Sequence, residues 1–540
     1  MDIVGYKAIG HDGSVCCVTN GTLVYSIEAE KDSNPRHALC SPELFNTLIT
    51  KRGTEPSIVC GDSECPDGDR LNYRGITPDR VIERQMQFRG RPLRYLSVPH
   101  EMCHVACAFA LSDLPEGQDF YALVWEGEIG SFYYVDNNFM IERLGTPADI
   151  ISHVGIRYSF PYHAAGRSRD IFGHSAAGKI MALAGLASPA FSDSPELREL
   201  MKTLLDSPLS HEGPFQVTLS GNPQLLYTTL QSLRDLEVDA PEFVRICRAI
   251  QDGLFSRFYD FACKHVRRRL PLVIAGGCGL NCDWNTRWRD SGLFDSVFVP
   301  PVPNDSGIAI GAAAVGQRLL LRRSKIAWNV YAGEDFLLDA DEGQLCRHGF
   351  RCAPLDLDCV SEWLFDREWI VAWVQGRCEM GPRALCNRSL LAAPFKRSKC
   401  DALNRVKQRE AFRPVAPVCR IEDVAEYFEW NGPSPFMSYF QRVKVDNLSA
   451  VTHSDGTARL QTVAASQNPI THELLSRFKR KSGVGVLCNT SLNFPGCGFI
   501  NRASHLIRFV NQTGIPAMVI GANMYVRAQF ATTADRRLNT

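Results

Sequence analysis

Arginine dominates one stretch of this chain, and arginine is the side chain best suited to grip phosphate or carboxylate through two parallel hydrogen bonds. Arg377, Arg383, Arg388, Arg405, Lys407, Arg409 and Arg413 lie between Gln375 and Arg420, a segment with 11 Lys/Arg against three acids. Gly, Pro and apolar residues interrupt the charges, which predicts a folded wall. A solvated basic face would use more lysine and fewer Gly-Pro breaks. Such a wall suits a polyphosphate or an acyl phosphate; a patch for nucleic acid is the competing reading. His100-Glu101-Met102-Cys103-His104 offers a second chemistry. Pro99 precedes it and an apolar run follows to Leu111, so the segment reads as a helix. Residues four apart share a helix face, so His100 and His104 can reach one metal ion. Taken alone, such a pair is more often packed or solvated than ligating.

The elements that must position these groups follow a repeated pattern. Asp2–Tyr6 reads as a strand, Gly10-His11-Asp12-Gly13 as a turn, Ser14–Thr19 as a strand, Asn20-Gly21 as a two-residue hairpin turn, and Thr22–Ile27 as a third strand. Phe120–Trp125, the turn Glu126–Gly130, Ser131–Val135, the turn Asp136–Asn138 and Phe139–Leu144 repeat that order. Two meanders with an acidic glycine turn are what the actin-like ATPase (ASKHA) fold uses, its turns aiming backbone N–H groups at phosphate. Two unrelated meanders are the alternative. Further on, Leu272–Ala275 reads as a buried strand before Gly276–Asn281 and a helix. Val297–Val299 is another strand, ahead of Pro300–Gly307 and a small-residue helix from Ile308. In the basic stretch, Leu390–Ala393 reads as a strand and Asp401–Arg409 as a helix with Leu403 and Val406 on one side. Cys278 lies in a glycine loop, but no partner histidine can be named for it as a nucleophile.

Composition sets limits. The chain has 540 residues, 45% hydrophobic and 22% charged, enough for two or three α/β domains. Lys+Arg and Asp+Glu balance at 59 each, so no global field draws it to nucleic acid or anionic membrane. The 20 scattered cysteines show no Cys-x2-Cys pair and read as reduced thiols used in packing. Neither a signal peptide nor a membrane-spanning apolar run is visible, so the expected compartment is the cytoplasm.

The basic stretch resembles the signature of the O-carbamoyltransferases, which include the nodulation, tobramycin and cephamycin enzymes. Gly381-Pro382-Arg383-Ala384-Leu385 with Asn387-Arg388-Ser389, then Val406-Lys407-x-Arg409-Glu410, then Phe412-Arg413-Pro414 recur in order. His11–Ser14, Glu28–Lys31, Pro35-Arg36-His37, Gly178–Ala184, Asp455–Val463 and Leu487–Asn493 are similar to further family motifs. Trp125-Glu126-Gly127, Lys31–Arg36 and Gly498–Arg502 look like the cephamycin and ansamycin branch, in which Arg502 could replace a cation near Pro495.

The resemblance implies an actin-like N-terminal unit over residues 1–340 and a threonylcarbamoyl-AMP synthase-like α/β unit over residues 341–540. It implies a divalent metal, Fe2+ before Mn2+ or Zn2+, on His100, His104 and Asp305. On its own spacing, Asp305 would be only a helix cap. His11, Lys31 and Arg383 are the implied catalytic groups, His11 as general base or phosphate contact. Arg36, Arg377, Arg388, Lys407, Arg409, Arg413, Arg459 and Asn489 are the implied contacts to the nucleotide. The expected substrates are ATP with Mg2+, carbamoyl phosphate and a small-molecule hydroxyl acceptor, with no nucleic acid or membrane partner and with a homodimer in view. A tRNA threonylcarbamoyl-transfer enzyme would share both folds, but it should carry a basic surface. A non-catalytic nucleotide-binding regulator should lack the arginines or the metal ligands.

Overall fold

The computed structural model describes residues 1–8, 10–62, 81–146, 151–165, 174–187, 195–206, 209–211, 217–219, 234, 236–340 and 347–531. The chain forms two compact units, one from Met1–Gly68, Asp79–Asp113 and Pro300–Thr540, the other chiefly Leu114–Val299. The fold is mixed α/β, and the meander read from the sequence occurs twice.

In the first unit, Asp2–Lys7, Ser14–Thr19 and Thr22–Glu28 form an antiparallel meander. Asn20 and Gly21 both have positive φ, the backbone a two-residue hairpin turn demands. Asp2–Lys7 continues the sheet in parallel with Ile58–Asp62, which pairs in parallel with Arg91–Val98. The carboxyl ends of these three strands therefore lie side by side. Helices His100–Leu111 and Ile308–Leu321 pack together beside this sheet. Their small residues are a steric requirement. A Cβ on Gly311 would overlap the Cys103 carbonyl, and one on Gly5 would overlap that of Ala309.

The same unit holds an eight-stranded sheet running from Phe350–Pro354 to Gln461–Val463, with Val371–Val374, Arg388–Ala392 and Val486–Ser491 side by side near its middle. Period-two alternation sends Ala372, Val374, Leu390 and Ala392 into one core and Val371, Trp373 and Leu391 into the other. Helices Leu357–Phe365 and Pro469–Ser482 cover the second core, while Ala503–Thr513 and Arg397–Val406 cover the first.

The second unit repeats the meander in Phe120–Trp125, Gly130–Val135 and Ile141–Arg143, with Leu272–Ala275 parallel to its first strand. Its core is aromatic: Trp125, Trp284, Trp288, Phe132 and Phe258 are buried together. Among the described residues no helix is long and apolar enough to cross a membrane.

Several boundaries differ from expectation, among them the strand expected over Leu390–Ala393, which spans Arg388–Ala392. The third strand of the second meander starts at Ile141, not Phe139, because Asp136 Oδ1 accepts from the N–H groups of Asn138 and Met140 and Phe139 takes a left-handed backbone. The helix expected over Asp401–Arg409 spans Arg397–Val406. Lys407 caps it and Gln408 turns left-handed, so Arg409 leaves the helix. Gly311→Ala should lower unfolding stability by about 1–3 kcal/mol, read from denaturant midpoints, because the helix backbones must separate. Ala312→Gly, a cavity and helix-propensity change, should cost only about 1 kcal/mol.

Candidate functional site

The carboxyl ends of adjacent parallel strands are where α/β sheets place ligands. Here Lys7 and Asp62 end two such strands, and His100 opens the helix after the third. Lys7 Nζ lies 2.8 Å from Asp62 Oδ2 and 3.4 Å from Asp305 Oδ2. His100 Nδ1 lies 3.0 Å from Asp62 Oδ2, and its Nε2 is 3.7 Å from Asp305 Oδ1. His104 Nε2 is 3.6 Å from the same oxygen. His104 and Asp305 are buried, and donor atoms of the three sequence-selected residues lie within 4.8 Å of one another. Two imidazoles and one carboxylate, with the outer nitrogen of one ring already on a carboxylate, are a donor set that suits a divalent ion.

Beside it stands a group whose arrangement the sequence did not disclose. Asp12 accepts at Oδ2 from Asn304 Nδ2 at 3.1 Å, and His11 Nδ1 lies 3.1 Å from that oxygen. His37 Nδ1 lies 2.8 Å from Asp12 Oδ1. Burial alone would raise the Asp12 carboxyl, but the hydrogen bonds from His11 and His37 hold it well below the usual carboxylate range. Burial opposes the charged form of His11, yet the Asp12 bond and the Asp305 charge outweigh it and raise its pKa. His11 Nδ1 is 3.9 Å from Asp305 Oδ2, so the candidate base adjoins the candidate metal ligands.

The second cluster is cationic. Lys407 is buried, and its Nζ donates to the carbonyl oxygen of Asn493 at 2.8 Å and to the Asn493 side-chain oxygen. Ser491 Oγ donates to that same side-chain oxygen at 2.6 Å. Burial pushes Lys407 well below its ordinary range, and the charges acting on it, Arg409 and Arg36, push the same way. Burial and then Arg413 and Arg459 depress Arg409. Arg36, Lys407, Arg409, Arg413 and Arg459 thus lie near enough for their charges to act on one another, despite mutual repulsion. Arg36 arrives because residues 33–36 pair with the 496–499 segment: Arg36 N–H donates to Gly496 O at 2.9 Å and Gly498 N–H to Asn34 O at 2.9 Å.

Other selected residues serve the frame. Arg388 is fully buried, and its guanidinium donates to Asn501 Oδ1 and the carbonyls of Gln375, Asn387 and Gly376. Arg377 donates to the carbonyls of Gly333, Ala332 and Val24. Backbone carbonyls take most donors of these two arginines, which were expected to contact the nucleotide. Lys31 is buried, 3.0 Å from Glu28 and 3.2 Å from Glu30, and it donates to Gly381 O at 2.7 Å. Asn489 Nδ2 donates to Ala384 O at 3.0 Å and to Gln461 at 2.6 Å. Arg502 pairs with Asp32, which removes it as a replacement cation near Pro495. Burial pushes the Cys278 thiol up, which disfavours the nucleophilic thiolate.

Arg383 lies half-buried in a loop gripped at nearly every residue. Met380 N–H donates to Val330 O, Gly381 N–H to Glu28, and the N–H groups of Leu385, Asn387 and Arg388 to Glu379 Oε1. Gly381 has φ +83, and a Cβ there would overlap the Pro301 carbonyl, so the Arg383 loop presses on the loop that carries Asp305. Glu379, Asn493, Asp62 and Lys7 were missed by sequence reasoning. An acid flanked by Arg377 and Arg383, one of three acids in the basic stretch, was the available sign for Glu379, and a charged residue closing an apolar strand was the sign for Lys7 and Asp62.

The carboxyl-terminal description of the carbamoyltransferases matches residues 363–527, and their amino-terminal description matches residues 81–225 and 254–314. A 3'-hydroxymethylcephem-O-carbamoyltransferase of Amycolatopsis lactamdurans is 38% identical over 98% of this chain and 100% of that protein. The chain belongs to the carbamoyltransferase family. Nodulation protein U of Rhizobium tropici is another relative, 32% identical over 93% of each chain. Among solved structures, a ROK family glucokinase from Streptomyces griseus covers 59% of this chain and 100% of that chain at 10% identity, with a TM-score of 0.29. As a carbamoyltransferase, the chain is a transferase enzyme.

The cationic cluster generates a test with a defined sign. Lys407 has a depressed folded-state pKa, so between that value and the ordinary 10.5 the unfolded chain binds the extra proton. Its contribution to stability is then complete above 10.5 and is lost as pH falls toward the folded value. Wild type minus Lys407→Met stability should therefore rise with pH across the alkaline range. At neutral pH Lys407→Met should melt higher than wild type without anion, and it should lose the stabilisation that pyrophosphate gives wild type. Thermal melts with and without pyrophosphate check both.

Proposed function

We propose that this carbamoyltransferase transfers a carbamoyl group to a hydroxyl of a small natural product in two ATP-dependent half-reactions. What carries the reading is the presence of a cationic cluster around the buried Lys407 and a histidine–carboxylate cluster around Asp305, with the Arg383 loop touching the Asp305 loop at Gly381. The first half-reaction is assigned to residues 341–540 and the second to residues 1–340.

In the first, water splits carbamoyl phosphate into carbamate and phosphate. A carbamate oxygen then attacks the α-phosphorus of ATP, the bond to the leaving pyrophosphate breaks, and carbamoyl-adenylate forms. Burying Lys407 among cations is unfavourable until an anion arrives, so the site should bind phosphate strongly and need little rearrangement to hold the charge that grows there. Arg383, held on its gripped loop, and Arg413 are the groups assigned to the transferring phosphoryl charge. Carbamate is a poor acyl donor, and AMP makes a better leaving group.

In the second, the acceptor oxygen attacks the carbamoyl carbon, AMP departs, and the hydroxyl proton passes to His11. Asp12 keeps the His11 ring oriented and stabilises its protonated form. His100, His104 and Asp305 would hold the divalent metal, Fe2+ being the first choice and Mn2+ or Zn2+ the others. When bound, it supplies Lewis acidity at the carbamoyl group. The relative whose substrate is a hydroxymethylcephem suggests a primary hydroxyl of an antibiotic-like molecule as acceptor.

The half-reactions should separate by mutation. A His100→Ala/His104→Ala double variant should lose bound metal and acceptor carbamoylation yet still release pyrophosphate from ATP and carbamoyl phosphate. If pyrophosphate release stops while the fold persists, one site performs both steps and the division is wrong. Arg383→Ala and Arg413→Ala should each slow pyrophosphate release by roughly two to three decades, about 2–4 kcal/mol of transition-state stabilisation.

A further inference from the structure

Behind the candidate metal ligands lies a layer of charge that the resemblance did not assign. Lys7 and Asp62 close neighbouring parallel strands, and both side chains are buried at 4% and 7% exposure. Asp62 Oδ2 is shared by Lys7 Nζ at 2.8 Å and His100 Nδ1 at 3.0 Å. Asp62 Oδ1 is buried and makes no hydrogen bond with the described residues. Leaving a carboxylate oxygen unsatisfied is costly, so an arrangement that keeps it calls for a reason. Lys7 also reaches Asp305, its Nζ lying 3.4 Å from Oδ2. The two histidine Nε2 atoms lie nearest the other oxygen, Oδ1, at 3.7 and 3.6 Å. The Asp305 carboxylate is thus divided: Oδ2 lies nearest the Lys7 ammonium, with the His11 ring beyond it, and Oδ1 lies nearest the His100 and His104 rings.

We propose that Asp62 and Lys7 form the outer layer of the metal centre, Asp62 orienting His100 through Nδ1 and Lys7 holding Asp305 Oδ2 so that Asp305 ligates through Oδ1 alone. Both are positioning residues. Asp62 raises the basicity of the ring it holds, as an outer carboxylate does for a ligating histidine. Lys7 acts oppositely on affinity. Its ammonium repels a divalent ion while it restricts Asp305 to one ligand oxygen, which keeps coordination positions open for substrate. The proposal rests on His100, His104 and Asp305 being the metal ligands.

The opposed signs make the test decisive, with Co2+ as the probe on the full chain. Wild type should bind one Co2+, and His104→Ala should not. Asp62→Ala should bind Co2+ at least about 10-fold more weakly, with Asp62→Asn between the two. Lys7→Met should bind Co2+ about threefold or more tightly than wild type and show a weaker visible absorption band, because Asp305 gains a second ligand oxygen. Lys7→Arg should stay near wild type. Circular dichroism reports folding in each case, and where Asp62→Ala does not fold the Asp62→Asn result decides. If wild type binds no Co2+, or His104→Ala keeps it, the metal reading fails and this proposal with it. If wild type and His104→Ala behave as expected but folded Asp62 variants bind as wild type does, or Lys7→Met binds more weakly, only the outer layer is refuted.

Discussion

One buried oxygen, Glu379 Oε1, accepts from the backbone N–H groups of Leu385, Asn387 and Arg388 and so closes the loop that presents Arg383. A carboxylate in this role binds its donors more strongly than a neutral acceptor would, and at zero exposure it has no water to fall back on. Other parts of the first unit then anchor to the loop. Tyr331 donates to Leu385 O, Asn489 to Ala384 O, Lys31 to Gly381 O, and Gly381 seats against Pro301. The last two contacts tie the meander at the start of the chain and the Asp305 loop to the same short segment.

Electrostatics divides the first unit into two neighbourhoods of opposite character. Around Asp305, two carboxylates, one lysine and two histidines nearly satisfy one another, and the pKa shifts on Lys7, Asp62 and His11 all favour the charged forms. Around Lys407 the shifts favour the neutral form, because burial and neighbouring cations act together. A fold keeps such a cluster only if a bound anion repays it or packing elsewhere offsets it. Charge environment therefore separates these cations more sharply than their number does. Arg388 and Arg377 sit in the same basic stretch and are spent on backbone carbonyls.

Much was legible in the chain itself. Strand alternation, the Asn20-Gly21 turn and the repeated meander located most strands near the expected residues, since period-two burial and positive-φ turns are local properties. The helical four-residue spacing placed His100 and His104 on one face, and the rings stand 4.8 Å apart. Family resemblance added Asp305. The errors were also local in origin. The third strand of the second meander starts late because Asp136 extends its turn, and the basic helix stops at Val406 because Lys407 caps it.

The sequence by itself determined the residue types: which histidines share a helix face, where glycine must replace a side chain, and that arginine rather than lysine fills the basic stretch. Only tertiary structure decided which charges act on which. Lys7 and Asp62 are far apart in the chain and meet because parallel strands bring their carboxyl ends together, and Asp305 joins them from the turn that precedes the helix Ile308–Leu321. Arg388 and Lys407 look alike as sequence, yet one lies among carbonyls and the other among cations. The energy of a buried charge is set by neighbours that arrive through space, and no local pattern in the chain encodes them.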